Sequence, residues 1–354
     1  MTESSPKHPE LAKAAAFLQR LIKGKAVGAL GEPAGRNLRD VLGKLLGRVV
    51  PWQRPPKSKA PPEPAGDGAF VDGSFTNEFG TRAYKLYIPN RSGGRPLPLV
   101  IMLHGCTQSP DDFAAGTRMN ALAEEHGCLI AYPAQPKIAN AHKCWNWFSP
   151  EHQRHGEGEP SIIAGITRRI MQEHPVDPRR VYVAGLSAGG AAAVIMGTAY
   201  PDLYAAVGVH SGLPYGAARN VPAALMAMRN GVPANRAQPG GPTVPTIVFH
   251  GDQDRTVHPS NGDSVTAQIL TIGKDLWEQA EIGHVPGGHR FTRTIHTNHA
   301  GMVLCEQWLV HGSGHAWSGG SPAGSYTDPQ GPDASREMLR FFLEHPRPAV
   351  GPTH

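Results

Sequence analysis

The chain has 354 residues, 40% hydrophobic and 18% charged, a balance that supplies a full core and excludes a fibrous or wholly disordered protein. Its net charge is +5, but residues 1–65 carry 12 basic and 5 acidic side chains, so the rest is slightly acidic and no nucleic-acid surface is expected there. The 4 cysteines have no C-x-x-C spacing, which argues against a zinc site or a dense disulfide framework, and no apolar run reaches the length of a membrane span.

Residues 1–50 read as a basic N-terminal extension. Within it, residues 11–30 set Leu11, Ala14, Ala15, Leu18, Leu21 and Ile22 on one helical face opposite Lys and Arg. Such an amphipathic helix suits packing, or contact with a membrane or hydrophobic granule. Lys13, Arg20, Lys23 and Lys25 interrupt every stretch that could act as the apolar region of a signal peptide, so the expected location is inside the cell. Prolines crowd the stretch from Pro51 to Pro64, which predicts an extended linker over 51–68. The folded domain is expected over 69–345, followed by a short tail, 346–354.

Inside the domain, apolar runs alternate with helical patterns. Strands are predicted at 83–89, 98–103, 128–133, 181–184, 205–209, 246–249, 291–295 and 303–310, with a turn at 91–94. Helices are predicted at 116–126, 161–173, 189–199 and 333–343. A long aromatic loop, 134–159, and a Gly/Pro/Ala-rich excursion, 211–243, interrupt the alternation. The pattern implies an α/β fold with a mostly parallel sheet covered on both faces. Cys128 and Cys305 lie inside apolar runs and read as buried thiols. Cys106 and Cys144 lie in loops where pairing is more plausible, and one or two bridges stay open.

The chemistry centres on Gly185-Leu186-Ser187-Ala188-Gly189-Gly190, which joins the apolar run at 181–184 to a small-residue helix. A serine between glycines at such a turn can hold its hydroxyl exposed at the end of a sheet, with the following helix N-terminus aimed at any oxyanion formed there. A serine nucleophile needs a base, and the base needs an acid. In the chain order Ser, Asp, His, with each group in a loop after a strand, Asp254 and His315 fit, with Asp252 and His311 as rivals. Backbone N–H groups of Ala188 and of Cys106, in the loop His104-Gly105-Cys106-Thr107, are the candidate oxyanion donors. Trp145, Trp147 and Trp317 are candidates to line a substrate pocket, or equally to fill the core. His311 and His315 are four apart, but Gly312 and Gly314 argue against a helix, so no metal site is expected. No cofactor is expected either.

Taken together, Leu103-His104-Gly105-Cys106-Thr107-Gln108, Lys143-Cys144-Trp145-Asn146-Trp147-Phe148, the Ser187 turn, His210-Ser211-Gly212, His250-Gly251-Asp252-Gln253-Asp254 and Gly314-His315-Ala316-Trp317 resemble the polyhydroxybutyrate depolymerase family of esterases, related to feruloyl esterases. The resemblance runs from about Phe70 to Leu343. It implies an α/β-hydrolase fold, a triad of Ser187, Asp254 and His315, and an oxyanion hole that includes Cys106. It also implies a small-molecule or polymeric ester as substrate. Feruloyl-type or acetyl-xylan-type ester hydrolysis is the alternative, and a non-catalytic granule-binding protein, anchored through the N-terminal extension, is the remote one. Secreted members of the family carry a signal peptide and often a substrate-binding domain, which are not visible here. Extracellular life is therefore the alternative location.

Overall fold

Seven consecutive buried residues, Leu97–Leu103 (β3), can be satisfied only by a strand with partners on both edges and cover on both faces. The computed structural model, which describes residues 68–90, 94–233, 244–271 and 276–348, provides both. Around β3 are Ala69–Asn77 (β1), Gly80–Ile88 (β2), Leu129–Pro133 (β4), Val176–Leu186 (β5), Ala206–His210 (β6), Thr246–Gly251 (β7), Trp277–His284 (β8), Arg290–Thr297 (β9) and Val303–His311 (β10). They form one sheet in the order β1-β2-β4-β3-β5-β6-β7-β10-β9-β8. The run from β4 to β10 is parallel, and an antiparallel pair closes each end, β1 and β2 on one side and β9 and β8 on the other. A two-residue parallel bridge joins Trp317–Ser318 (β11) to Thr327–Asp328 (β12).

Seven α-helices, among the described residues, connect and cover the strands: Pro110–Thr117 (α1), Met119–His126 (α2), Gly158–Glu173 (α3), Ala188–Ala199 (α4), Val221–Asn230 (α5), Ser260–Leu270 (α6) and Ala334–Glu344 (α7). Alternate residues of each strand point to opposite faces. Val100, Met102, Tyr182, Ile247 and Phe249 therefore share one core with Phe113 of α1, Met119 and Leu122 of α2, and Met338, Phe341 and Phe342 of α7. Leu99, Ile101, Val183 and Val207 are equally buried on the other face, where α3, α4 and α6 pack. The expected α/β-hydrolase class is thus observed. No described helix is long and apolar enough to cross a membrane.

Several elements depart from expectation, each for a local reason. The helix expected at 116–126 is two, α1 and α2, broken at Arg118 with φ 54. The first begins earlier because Ser109 Oγ accepts from the Asp112 N–H at 3.2 Å, a cap that outweighs its weak apolar periodicity. Within the stretch read as irregular, Asn220 caps α5 in the same way, accepting from Ala223 at 2.9 Å. The inward positions of α6 include Asn261, Ser264, Thr266 and Gln268, so it lacks an apolar stripe. Strand β8 is exposed along nearly its whole length, and β1 is an outer strand with no fully buried position, its more covered positions including Gly73 and Asn77 beside Phe70 and Phe75. Neither shows the apolar alternation by which a half-buried strand is read. The amphipathic stretch at 11–30, the linker up to 67, and residues 91–93, 234–243 and 349–354 lie outside the described residues.

Candidate active site

Strand order reverses between β4-β3 and β5, and in open parallel sheets that reversal leaves a crevice at the carboxyl ends of the strands. Ser187 sits there, directly after β5, with φ 59 and ψ −118. That conformation costs a non-glycine residue on the order of 1–2 kcal/mol, so its surroundings must impose it. The Ser187 N–H donates to His210 O at 2.8 Å, and Ala191 N–H donates to Ser187 O at 2.9 Å. A Cβ on Gly185 would lie 2.7 Å from Leu103 O, and one on Gly189 would lie 2.7 Å from His104 O. The flanking glycines are therefore what allows the end of β3 to approach the turn. Ala188 opens α4, and its N–H belongs to the first turn, where no helical carbonyl is available to accept.

Asp254 and His315 meet in the neighbouring loops. Asp254 Oδ2 lies 2.6 Å from His315 Nδ1, while its Oδ1 accepts from the Thr256 and Val257 N–H groups at 2.9 and 2.8 Å. Burial by itself would raise the Asp254 pKa, but His315, followed by His250, holds the carboxyl well below the usual carboxylate range. The rivals form their own pair. His311 Nδ1 lies 3.0 Å from Asp252 Oδ2, Gly312 N–H donates to Asp252 Oδ1 at 2.8 Å, and Thr292 Oγ1 lies 2.8 Å from His311 Nε2. This second pair is a third exposed, where the Asp254 side chain is fully buried. Together with the Ser313 hydroxyl, which donates to Asp328 Oδ2 at 2.6 Å, it ties down the loop that carries His315.

The loop after β3 is held at several of its polar atoms. Trp145 Nε1–H donates to His104 O at 3.1 Å, Gly105 N–H to Gln108 Oε1 at 2.9 Å, and Thr107 N–H to His142 O at 2.7 Å. His104 is buried, accepts at Nε2 from Gln135 N–H at 3.1 Å, and lies 2.7 Å from Gly105 O through Nδ1. Its pKa is lowered to about 4, chiefly by burial, so the ring is neutral with its proton on Nδ1. A peptide is planar, with C=O and N–H pointing opposite ways. Fixing the Gly105 carbonyl therefore fixes the direction of the Cys106 N–H, which has no acceptor among the described residues. Cys106 is bridged to Cys144, the loop pairing the sequence left open. Cys128 and Cys305 are free and buried, and burial pushes each thiol up to about 12.

The aromatic candidates take up different positions. Trp145 and Trp317 are almost wholly buried, and their indole N–H groups are satisfied internally, Trp317 by Ser335 Oγ at 2.9 Å. Of the two roles left open for them, pocket lining and core filling, their burial favours the core, where they brace loops. Trp147 is 6% exposed and packs edge-on against the half-buried Phe148. His210, prominent only as part of a motif, proves to be a link. It receives the Ser318 N–H at 2.9 Å and stacks on Trp317 at 5.0 Å, joining the Ser187 turn to the segment just past His315. Burial lowers its pKa to about 3. Thr107 Oγ1 lies 3.3 Å from the Tyr326 hydroxyl, placing Tyr326 beside the Cys106 loop, an approach across 219 residues that no local signal announces.

Comparison with known proteins bears on the family and the fold. The model of the esterase PHB depolymerase family matches residues 82–278, more than half of the chain, a span that includes Cys106, Ser187 and Asp254 and stops short of His315. Poly(3-hydroxyalkanoate) depolymerase C of Paucimonas lemoignei is 32% identical over 229 residues, 62% of this chain and 54% of that protein. Feruloyl esterase B of Thermothelomyces thermophilus is 28% identical over 219 residues, 57% of this chain and 73% of that one. The chain thus spans about half the length of the first relative. Among solved structures, an acetyl xylan esterase from Aspergillus awamori matches with a TM-score of 0.58 at 19% identity, over 77% of this chain and 99% of that one, a likeness of fold.

Proposed function

Because the chain belongs to the esterase PHB depolymerase family, we propose that it is a serine carboxylester hydrolase working through an acyl-enzyme, with hydroxyalkanoate esters as its substrate class. The carrying observation is the 2.6 Å contact between Asp254 and His315 at the same sheet end as the strained Ser187 turn. In this reading Asp254 holds the His315 proton on Nδ1, which leaves Nε2 to accept the Ser187 hydroxyl proton as Oγ attacks the ester carbonyl carbon. The carbonyl oxygen becomes an oxyanion held by the N–H groups of Cys106 and Ala188. The C–O bond to the alcohol then breaks, and the departing oxygen takes the proton from His315. Water repeats the sequence on the acyl-enzyme, releasing the acid and restoring the serine. No metal or cofactor enters any step. The disulfide and the Glu159, Gln135 and Trp145 bonds behind it hold the Cys106 segment.

A serine-reactive phosphonate should label Ser187, and Ser187→Ala should lower turnover of p-nitrophenyl butyrate on the order of 10³-fold or more. A folded Ser187→Ala protein with ordinary activity would sink the assignment. Hydroxybutyrate oligomers, polymer film, methyl ferulate and acetylated sugar, assayed side by side, order the substrate classes. A kcat/KM highest on methyl ferulate or acetylated sugar would move the protein to the feruloyl-type or acetyl-xylan-type reading.

A further inference from the structure

Glu159, in the first turn of α3, is a carboxylate 4% exposed and far from Ser187 in the chain. The groups that its two carboxylate oxygens meet are all donors. Its Oε2 accepts from Asn146 N–H at 2.7 Å, and its Oε1 accepts from Asn146 Nδ2 at 2.7 Å, from Gln135 Nε2 and, at 3.5 Å, from the Arg82 guanidinium. A buried charge is tolerated only with such complete satisfaction, so these donors are held where the carboxylate needs them. Both Gln135 and Asn146 bear on the loop after β3. Gln135 Nε2 also donates to Cys144 O at 2.9 Å, Gln135 N–H donates to His104 Nε2 at 3.1 Å, and Asn146 follows Trp145, whose indole holds His104 O. Arg82 Nε donates to Gln135 Oε1 at 3.0 Å, closing the network.

We propose that Glu159 is a positioning residue for ester hydrolysis: through Gln135 and Asn146 it fixes His104 and the Cys144 segment, and so aims the Cys106 N–H at the oxyanion. This rests on the reading of Cys106 as an oxyanion donor. The donor acts only on charge that develops in the transition state, so disturbing it lowers kcat and leaves KM nearly alone. In Glu159→Gln, whichever way the amide is turned, its NH₂ meets either the Asn146 N–H or the Asn146 and Gln135 side-chain donors. Gln135→Ala keeps the backbone N–H to His104 but removes the side-chain link.

The experiment measures kcat and KM on p-nitrophenyl butyrate for the full chain and both variants, each normalised to active sites titrated with the phosphonate, together with inhibition by an alkyl boronic acid that mimics the tetrahedral oxyanion. The expected result is a kcat per titrated site lowered roughly 10- to 100-fold, KM within about twofold, and boronate affinity falling in step with kcat, since a full oxyanion donor is worth about 10²–10³. A merely structural role would lower the titratable fraction and the melting temperature without moving kcat per site or boronate affinity, and that result in both variants overturns the proposal. If Glu159→Gln does not fold, Gln135→Ala alone decides by the same readouts. Wild-type protein that the phosphonate fails to inactivate would instead overturn the serine-esterase reading beneath it.

Discussion

Removing the Cys106–Cys144 bridge tests how much the loop after β3 depends on a covalent brace. The bridge spans 38 residues of sequence, and in the chain-entropy account closing such a loop costs the unfolded chain about 13 cal/mol/K, on the order of 4 kcal/mol at 25 °C. Against this stands Lys143 at φ 54, beside the second sulfur, whose backbone relaxes once the bridge is gone, whereas Thr107 at φ 68 stays held by its bond to His142 O. That relief returns about 1 kcal/mol. The net loss expected for Cys106→Ala/Cys144→Ala is therefore about 2–4 kcal/mol, a melting temperature lower by roughly 5–15 °C for a domain of this size, with the protein still folded at 25 °C. Alanine at 106 keeps the N–H, so catalysis should weaken through misdirection: kcat per titrated site about tenfold or more lower, KM within about twofold. Differential scanning fluorimetry and kcat/KM on p-nitrophenyl butyrate report the two effects separately. A lower melting temperature with unchanged kcat would refute the reasoning that the bridge aims the Cys106 N–H, and an unchanged melting temperature would refute the stability argument.

Three further outcomes follow from the same geometry. Asp254 is held ionised below the usual carboxylate range, so its protonation should add no step to the pH–activity profile above about pH 4; His315→Gln should abolish activity, His311→Gln should retain most of it, and ordinary activity in His315→Gln would contradict the assignment. His104 and His210 are held neutral, with pKa values lowered from 6.5 to about 4 and about 3, so the unfolded chain binds protons that the folded one refuses: the stability they contribute is complete above about pH 6.5 and is lost as pH falls through the window to about 3. The melting temperature should drop across that window, reflecting several kcal/mol, and His210→Gln should flatten the drop; a profile identical to wild type would show that His210 is not held neutral. Finally, Ser187→Gly and Ser187→Ala should both be inactive, but the glycine variant should melt about 2–3 °C higher, since glycine accepts φ 59 without strain and the gain of about 1–2 kcal/mol exceeds its extra unfolded-state entropy; equal melting temperatures would mean the turn is not strained.

What was legible in the sequence was whatever a short window dictates. The centre of β3 is apolar at every position because it is buried on both faces, and the glycines at 185 and 189 are legible because backbone approaches them where a Cβ would stand. Asp254 and His315 could be ranked by chain order, but their contact could not be read, because it closes across 61 residues. Helices α5 and α6 hid behind capping residues and polar inward faces, and exposed β8 had no face to betray it. The Glu159 network was invisible for a plainer reason. Its members, at 82, 104, 135, 146 and 159, are ordinary polar residues whose roles exist only once the fold has brought their donors onto one carboxylate.

The same long-range bonding explains where the backbone is strained. Among the described residues, the non-glycine positions with positive φ are Thr107, Arg118, Lys143, Ser187, Ser211 and Tyr326, and all but Arg118 belong to the loops that build the candidate site or touch it. At about 1–2 kcal/mol apiece they sum to something comparable with the net stability of a domain. They persist because each is tied to a separate element: Thr107 N–H to His142 O, Ser187 N–H to His210 O, Ser211 N–H to Phe249 O, and Tyr326 O to the Trp317 N–H, with the disulfide beside Lys143. Strain held by bonds to several independent elements cannot relax at one position without breaking a neighbour's bond. Under the proposed function, a site tied this way would hold its N–H donors in place as charge develops on an ester, which is the condition under which oxyanion stabilisation is strongest.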